Sequence, residues 1–272
     1  MKVSRTSIET VVSQQDRITL ASVQFDRLTE GEVVARVVAE LSDGCGGQII
    51  TPNVDILHRV VRDADSMRHV RASSIVVADG KPLIWASRLA GDPLPARVAG
   101  ADLIWSLSAG MAAAGRSVYL LGGEPGTADR AAEVMRDRLP TLKLAGSHSP
   151  SLGFDTRPEE YAAVCDEVVG AAPDLVFVGF GFPKQERVIA RLRARLPQTW
   201  VLGCGAAIGF VAGVHSRAPV WMQDNGLEWL HRMYLEPRRL MRRYLLDDVP
   251  FAVRLLAGGA RERLRRVPGG AR

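Results

Sequence analysis

The stretch VVADGKPLIW, residues 76–85, sets an acid and a glycine between two apolar runs. An acid at such a junction either caps the following helix or works as a general base whose pKa is tuned by partial burial. The residues around Asp79 support both readings equally. Other polar groups close apolar runs in the same way. GGQIITPN ends in Thr51 and Asn53. LLGGEPGTADRAAE puts Gly122 and Gly123 ahead of a helix, where free backbone N–H groups would face an anion. A plain tight turn explains that stretch about as well. In GFGFPKQE, residues 179–186, Gly181 shapes a turn, Lys184 would meet a diphosphate and Gln185 would bond sugar hydroxyls. The rival reading there is a surface turn with a solvated lysine.

Several chemistries lack their residues. The five histidines have no metal-ligand spacing, and there is no H-E-x-x-H, D-x-D or clustered carboxylate pair for magnesium. No G-x-S-x-G elbow is present for a serine hydrolase. The first half has no glycine fingerprint followed by an acid, which disfavours a nicotinamide oxidoreductase. Cys45, Cys165 and Cys204 lie far apart, against a disulfide framework or a zinc site. No metal or cofactor is expected.

The elements that must position these groups alternate along the chain. RITLASVQFDRLT reads as a strand or hairpin, and Thr29 with Glu32 forms a capping-box pattern ahead of a helix. VDILHRVVRDADSMRHVR reads as one helix. Strands at QII, SSIVVADG, RSVYLLGG, LKLAGSHS, PDLVFVGFG and TWVLGCG then alternate with helices. The strands are near-continuous apolar runs, as in sheets covered on both faces. The expected fold is therefore α/β, a Rossmann-like, doubly wound and mostly parallel sheet, whose ligands bind beyond the carboxyl ends of the strands. All the candidate groups above fall on those ends.

After Gly213 only helical spacing remains. Leu227, Leu230, Met233 and Tyr234 mark one face, which Leu240 and Tyr244 continue, with Pro237 and Pro250 as punctuation. The expected organisation is a flexible N-terminus at 1–16, an α/β catalytic core at 17–213, and a basic helical appendage at 214–272. The 272 residues carry a net charge of +5, yet the segment from Arg217 onward holds 12 arginines, no lysine and 6 acids. The basic excess thus belongs wholly to the tail and points to an anionic partner, a membrane surface or nucleic acid. Trp221, Trp229, Tyr234 and Tyr244 suit a lipid headgroup region. A solvated helix packed on its own core is the simpler alternative for the tail. No apolar run is long enough to span a bilayer, and MKVSRTSIETVVSQQDR lacks a secretory signal core.

Five ordered motifs together resemble the WecG/TagA/CpsF family of bacterial glycosyltransferases. They are TPN (51–53), ADGKPLIWASRLAGDPLPARVAGADL (78–103), YLLGGEPG (119–126), VGFGFPKQE (178–186) and RAPVWMQDNGLEWLHRMYLEPRRLMRRYL (217–245). The resemblance runs over about residues 18–246. It implies an inverting, metal-independent transferase that moves a sugar, typically N-acetylmannosamine, from a UDP-sugar to an undecaprenyl-diphosphate-linked acceptor. The setting would be teichoic acid or cell-surface polysaccharide synthesis. It implies Asp79 as catalytic base and places Thr51, Asn53, Arg97 and Gln185 on pocket positions. It also implies that Arg232, Arg238, Arg239, Arg242 and Arg243 close the pocket or meet membrane and diphosphate. The protein would then work in the cytoplasm, peripherally on the inner face of the plasma membrane, with no nucleic-acid partner and with a homo-oligomer as one arrangement. In AIGFVAG, Gly209 stands where many members carry an aspartate, which leaves glucose, galactose or a uronic acid as alternative donors.

Overall fold

Alternate residues along each core strand point to opposite faces, and this period of two organises the molecule. The protein, seen here in a computed structural model, is described over residues 17–266 apart from Glu236 and the side chains of Asp224, Arg239 and Arg266. The expectations for residues 1–16 and for the last six residues of the tail lie outside the described residues.

The chain opens with an antiparallel hairpin, β1 (Arg17–Leu20) and β2 (Val23–Asp26). Then follow α1 (Glu30–Ser42), β3 (Gln48–Ile50), α2 (Val54–Val60), α3 (Ala64–Arg71), β4 (Ile75–Val76), α4 (Lys81–Leu89) and α5 (Gly100–Ala113). The second half of the core is β5 (Ser117–Gly122), α6 (Thr127–Arg138), β6 (Lys143–His148), α7 (Pro158–Ala171), β7 (Leu175–Gly179), α8 (Lys184–Arg195), β8 (Trp200–Gly203) and α9 (Ala207–Val211). Strands β3 to β8 form one sheet in the order β4-β3-β8-β7-β5-β6, with every pairing parallel. The doubly wound α/β expectation is met.

Ile49, Ile75, Val118, Leu120, Leu175, Phe177, Trp200 and Leu202 turn to one face, where α1, α5, α6 and α9 cover them. Their neighbours turn the other way. Ile50, Val76 and Ala78 pack under the hairpin, α2 and α4, while Tyr119, Leu121, Val176, Val178 and Val201 pack under α7 and α8. A device read in the sequence holds α1, and a second, shown by the structure alone, holds the hairpin. Thr29 and Glu32 form a reciprocal capping box at the start of α1. Asp26, 3 % exposed, accepts hydrogen bonds from the Val76 N–H at 2.7 Å and from Arg17 Nε at 2.7 Å. A buried carboxylate needs such partners to offset its desolvation.

Two expectations are corrected. The single helix expected over residues 54–71 is two, because the Asp63 side chain accepts from the Ser66 N–H at 2.8 Å and starts α3 afresh. The tail is a chain of short helices, α10 (Val220–Asp224), α11 (Glu228–Leu235) and α12 (Pro237–Arg242), then a π-helical turn at Arg243–Asp248 and the long α13 (Val249–Arg266). Its apolar stripe is not continuous, since Leu240 and Tyr244 are buried while Tyr234 is 83 % exposed. The tail packs back on the core. Leu255 of α13 joins the cluster under α4, and a Cβ on Gly259 would come within 2.5 Å of the Ala86 carbonyl.

The carboxyl ends of β5 and β7 approach through glycine alone. Gly122 pairs with Gly179, its φ is +136°, and a Cβ there would lie 2.6 Å from the Gly179 carbonyl oxygen. Gly122→Ala combines a strained φ with a backbone clash, so we expect a loss of about 3 kcal/mol. Urea unfolding of the purified protein measures it.

Candidate active site

Asp79 does not cap α4. The N-cap is Gly80, at φ +133°, and no side chain caps that helix. Asp79 is instead held by its backbone. Its N–H donates to the Pro52 carbonyl at 3.0 Å, which continues the β3–β4 pairing to a point three residues past β4. The glycine absorbs the sharp turn that follows, and the carboxylate is left free to face Arg97, whose Nη1 donates to Oδ1 at 3.4 Å.

Arg97 is the hub of a charged cluster. Its Nη2 donates to Asp102 at 3.1 Å, and its Nη1 lies 3.7 Å from Glu228 of α11. Arg217 donates to the other oxygen of Asp102 at 2.6 Å, and Arg232 donates to Glu228 at 3.2 Å. The Arg97 side chain is 15 % exposed and that of Asp79 is 28 % exposed. Burial is the main force on Asp79 and pushes its pKa up to about 6. Arg97 and Arg232 oppose that rise, and Glu228 and Asp102 add to it.

Thr51 and Asn53 stand beside this cluster. Thr51 is buried next to Gly100 at the start of α5, and Asn53 caps α2 by accepting from the Ile56 N–H at 2.9 Å. Asn53 Cβ also borders Gly80, so the β3 and β4 ends share one floor. Thr51, Asn53, Asp79 and Arg97 are thereby brought together. Of the tail arginines, Arg232 reaches the cluster and lies over the Phe210 ring at 5.3 Å. Arg243 pairs with Asp55 of α2 at 3.5 Å, and Arg238 and Arg242 are exposed. The Arg239 side chain lies outside the described residues.

The second group lies at the ends of β5, β7 and β8. Gly123 donates to the Gly179 carbonyl at 3.2 Å. The N–H of Ala128, in the first turn of α6, is taken by the Ser149 hydroxyl at 2.9 Å, so this helix end is already part-filled by protein. Gln185 is 3 % exposed, and its carbonyl accepts from the N–H groups of Gly181 and Gly205, each at 3.1 Å. It ties the β7 and β8 turns together. Its amide donates to Glu186 at 3.0 Å, and burial raises the Glu186 pKa to about 7. Lys184 turns away from these groups, pairing with Asp155 at 2.7 Å and lying over Phe154 at 4.5 Å. A Cβ at Gly209 would meet the His215 ring at 2.6 Å, so His215 occupies the space a side chain there would claim.

Sequence reasoning missed Asp102, Arg217, Glu228 and Glu186. Asp102 lies five residues after Arg97 across the α5 N-terminus, a local spacing that was readable. Arg217 and Glu228 arrive only by tertiary folding and left no local signal. Among the described residues no group of three His, Cys, Asp or Glu is placed to hold a metal ion.

A parallel sheet whose strand ends gather a crowded, raised-pKa carboxylate and several guanidinium groups has the makings of an active site. The family model described as "Glycosyl transferase WecG/TagA/CpsF family" matches residues 18–265, and the chain belongs to that family of glycosyltransferases. The match reaches through the tail into α13. A relative from Bacillus subtilis (strain 168), an N-acetylglucosaminyldiphosphoundecaprenol N-acetyl-beta-D-mannosaminyltransferase, is 28 % identical over 197 residues, covering 72 % of this chain and 75 % of its own. A relative of the same description from Staphylococcus aureus (strain NCTC 8325) is 25 % identical over 252 residues, covering 92 % and 96 %.

The Gln185 bridge carries its own test. Gln185→Leu strands two backbone N–H groups in the floor of the site, and each unsatisfied donor costs on the order of 1–3 kcal/mol. Thermal unfolding should show a Tm well below that of the parent protein.

Proposed function

We propose that this protein transfers a sugar, N-acetylmannosamine as the first choice, from a UDP-sugar to the hydroxyl of a sugar on a polyprenyl diphosphate, with inversion. The observation that carries the reading is Asp79, a carboxylate at the paired end of β4 with a pKa near 6 beside Arg97. Its position within the matched residues of the family and the acceptor named for the relatives support it.

In this mechanism Asp79 takes the proton of the acceptor hydroxyl as its oxygen attacks the anomeric carbon. The bond to UDP breaks on the opposite face, and its electron pair leaves with the diphosphate. A base with a pKa near the working pH is ionised yet still basic enough to accept a proton. The charge growing on UDP is met by guanidinium groups and backbone N–H groups rather than by a resident metal. Arg217 and Arg232 are the tail arginines that join the charged cluster around Asp79, and Thr51, Asn53 and the β5, β7 and β8 turns shape the sugar and nucleotide pocket. Glucose, galactose or a uronic acid is the second choice of donor, since the His215 ring lies against Gly209, where the resemblance puts an aspartate in many members.

We also place the protein peripherally on the inner face of the plasma membrane. No helix among the described residues is long and apolar enough to cross a membrane. The tail exposes Trp221 (60 %), Tyr234 (83 %) and Leu246 (66 %) beside exposed Arg238 and Arg242. Apolar and aromatic groups next to arginine suit an anionic interface. Tyr244, buried edge-on against Trp229, is not part of that surface.

Asp79→Asn should lower turnover by at least about a hundredfold while leaving UDP affinity and fold intact. UDP release and product mass, followed with a short prenyl-diphosphate-linked N-acetylglucosamine and a panel of UDP-sugars, test both the class and the donor. In the parent enzyme kcat/KM is retained above the Asp79 pKa and falls as pH drops through about 6, because the base becomes protonated. A pH-independent rate across that range contradicts the assignment. On anionic vesicles, the double variant Arg238→Gln/Arg242→Gln loses about 2 kcal/mol of binding, about thirtyfold, at about 1 kcal/mol per arginine. Vesicle co-sedimentation reads that loss.

A further inference from the structure

The same nitrogen of Arg97 faces two carboxylates. Nη1 lies 3.4 Å from Asp79 Oδ1 and 3.7 Å from Glu228 Oε2, while Nη2 is committed to Asp102 at 3.1 Å. A carboxylate that held a guanidinium to itself would be stabilised in its ionised form, by about 1–3 pKa units in comparable pairs. Such a group is a poor base. Asp79 escapes this although it touches an arginine.

Burial lifts the Asp79 pKa most, and the charged groups facing it decide how far Arg97 pulls it back. They are Arg97 from the loop before α5, Asp102 from α5, Arg217 from the segment after α9, and Glu228 and Arg232 from α11. Asp102 is neutralised twice, by Arg97 and by Arg217 at 2.6 Å. Glu228 is the remaining acid that draws on Nη1 itself, and it is 21 % exposed. Arg232, one helical turn along α11, holds the Glu228 carboxylate from the far side at 3.2 Å.

We propose that Glu228 is a positioning residue for the transfer reaction: by competing for Nη1 of Arg97 it keeps the Asp79 carboxylate available as a base instead of locked in an ion pair. The proposal rests on the reading of Asp79 as the catalytic base. It gives α11, which lies outside the α/β core, a part in the chemistry without contact with the reacting atoms.

The test is Glu228→Gln in the full-length protein, a neutral change of nearly equal size. Two quantities are read, the acid limb of kcat/KM and the carboxyl-carbon NMR titration of Asp79, assigned by comparison with Asp79→Asn. With the competitor gone, Arg97 pairs more fully with Asp79. Both midpoints then move to lower pH by about one unit, and the plateau rate falls several-fold because the base is weaker. Glu228→Ala gives a shift in the same direction and covers the case in which the glutamine variant folds poorly. An unmoved Asp79 titration in a folded variant overturns the proposal alone, with Asp79→Asn still inactive. A moved Asp79 titration with an unmoved rate limb overturns the base reading, and the proposal with it.

Discussion

One guanidinium group, that of Arg97, holds three carboxylates from three parts of the chain within reach of one another. Asp79 comes from the end of β4, Asp102 from α5 and Glu228 from the tail. Without a cation among them these acids would repel, and burial would drive at least one to hold a proton. The arrangement of the site follows from this constraint. The β3–β4 ends are pinned by the hydrogen bond from Asp79 to the Pro52 carbonyl, α5 begins beside Thr51, and Arg217 shares the burden of Asp102. Glu228 and Arg232 of the tail complete the charge balance of the cluster, while Leu255 and Gly259 of α13 pack the tail on α4.

The two halves of the site have different characters. Around Asp79 the polar groups are charged and partly open to solvent, as suits proton transfer. At the ends of β5, β7 and β8 the polar groups are buried and linked, with Gln185 bonded to two backbone N–H groups and to Glu186, whose Oε2 has no partner. The hydrogen bonds of Gln185 hold the two turns together. The first half has groups free to change charge, and the second offers a floor of backbone fixed by Gln185.

Much of this was legible in the sequence because it depends on local periodicity. The apolar runs gave the parallel strands, and the Thr29–Glu32 pair gave the start of α1. Thr51, Asn53 and Asp79 were found from the strand ends, which converge in such sheets, whereas Arg97 came only from the resemblance to the family. Other features were hidden for physical reasons. The break between α2 and α3 turns on one side chain, Asp63, choosing a cap over a solvated position. The roles of Gln185 and Lys184 depend on partners distant in sequence, Gly205 and Asp155. Arg217 and Glu228 enter the site only through the path of the tail, which no spacing rule encodes.

The β1–β2 hairpin has a consequence for the company the sheet can keep. β4 is an edge strand, and its outward N–H at Val76 is occupied by the buried carboxylate of Asp26. A neighbouring chain seeking to extend the sheet at that side finds its donor spent and a charged group in the way, so the margin nearest Asp79 is sealed against strand addition. The opposite margin, β6, is shielded less completely, by Lys143 and by the His148–Glu167 pair along a partly exposed strand. The two margins of the sheet therefore differ, the one beside Asp79 closed by a buried carboxylate and the remote one screened only by side chains.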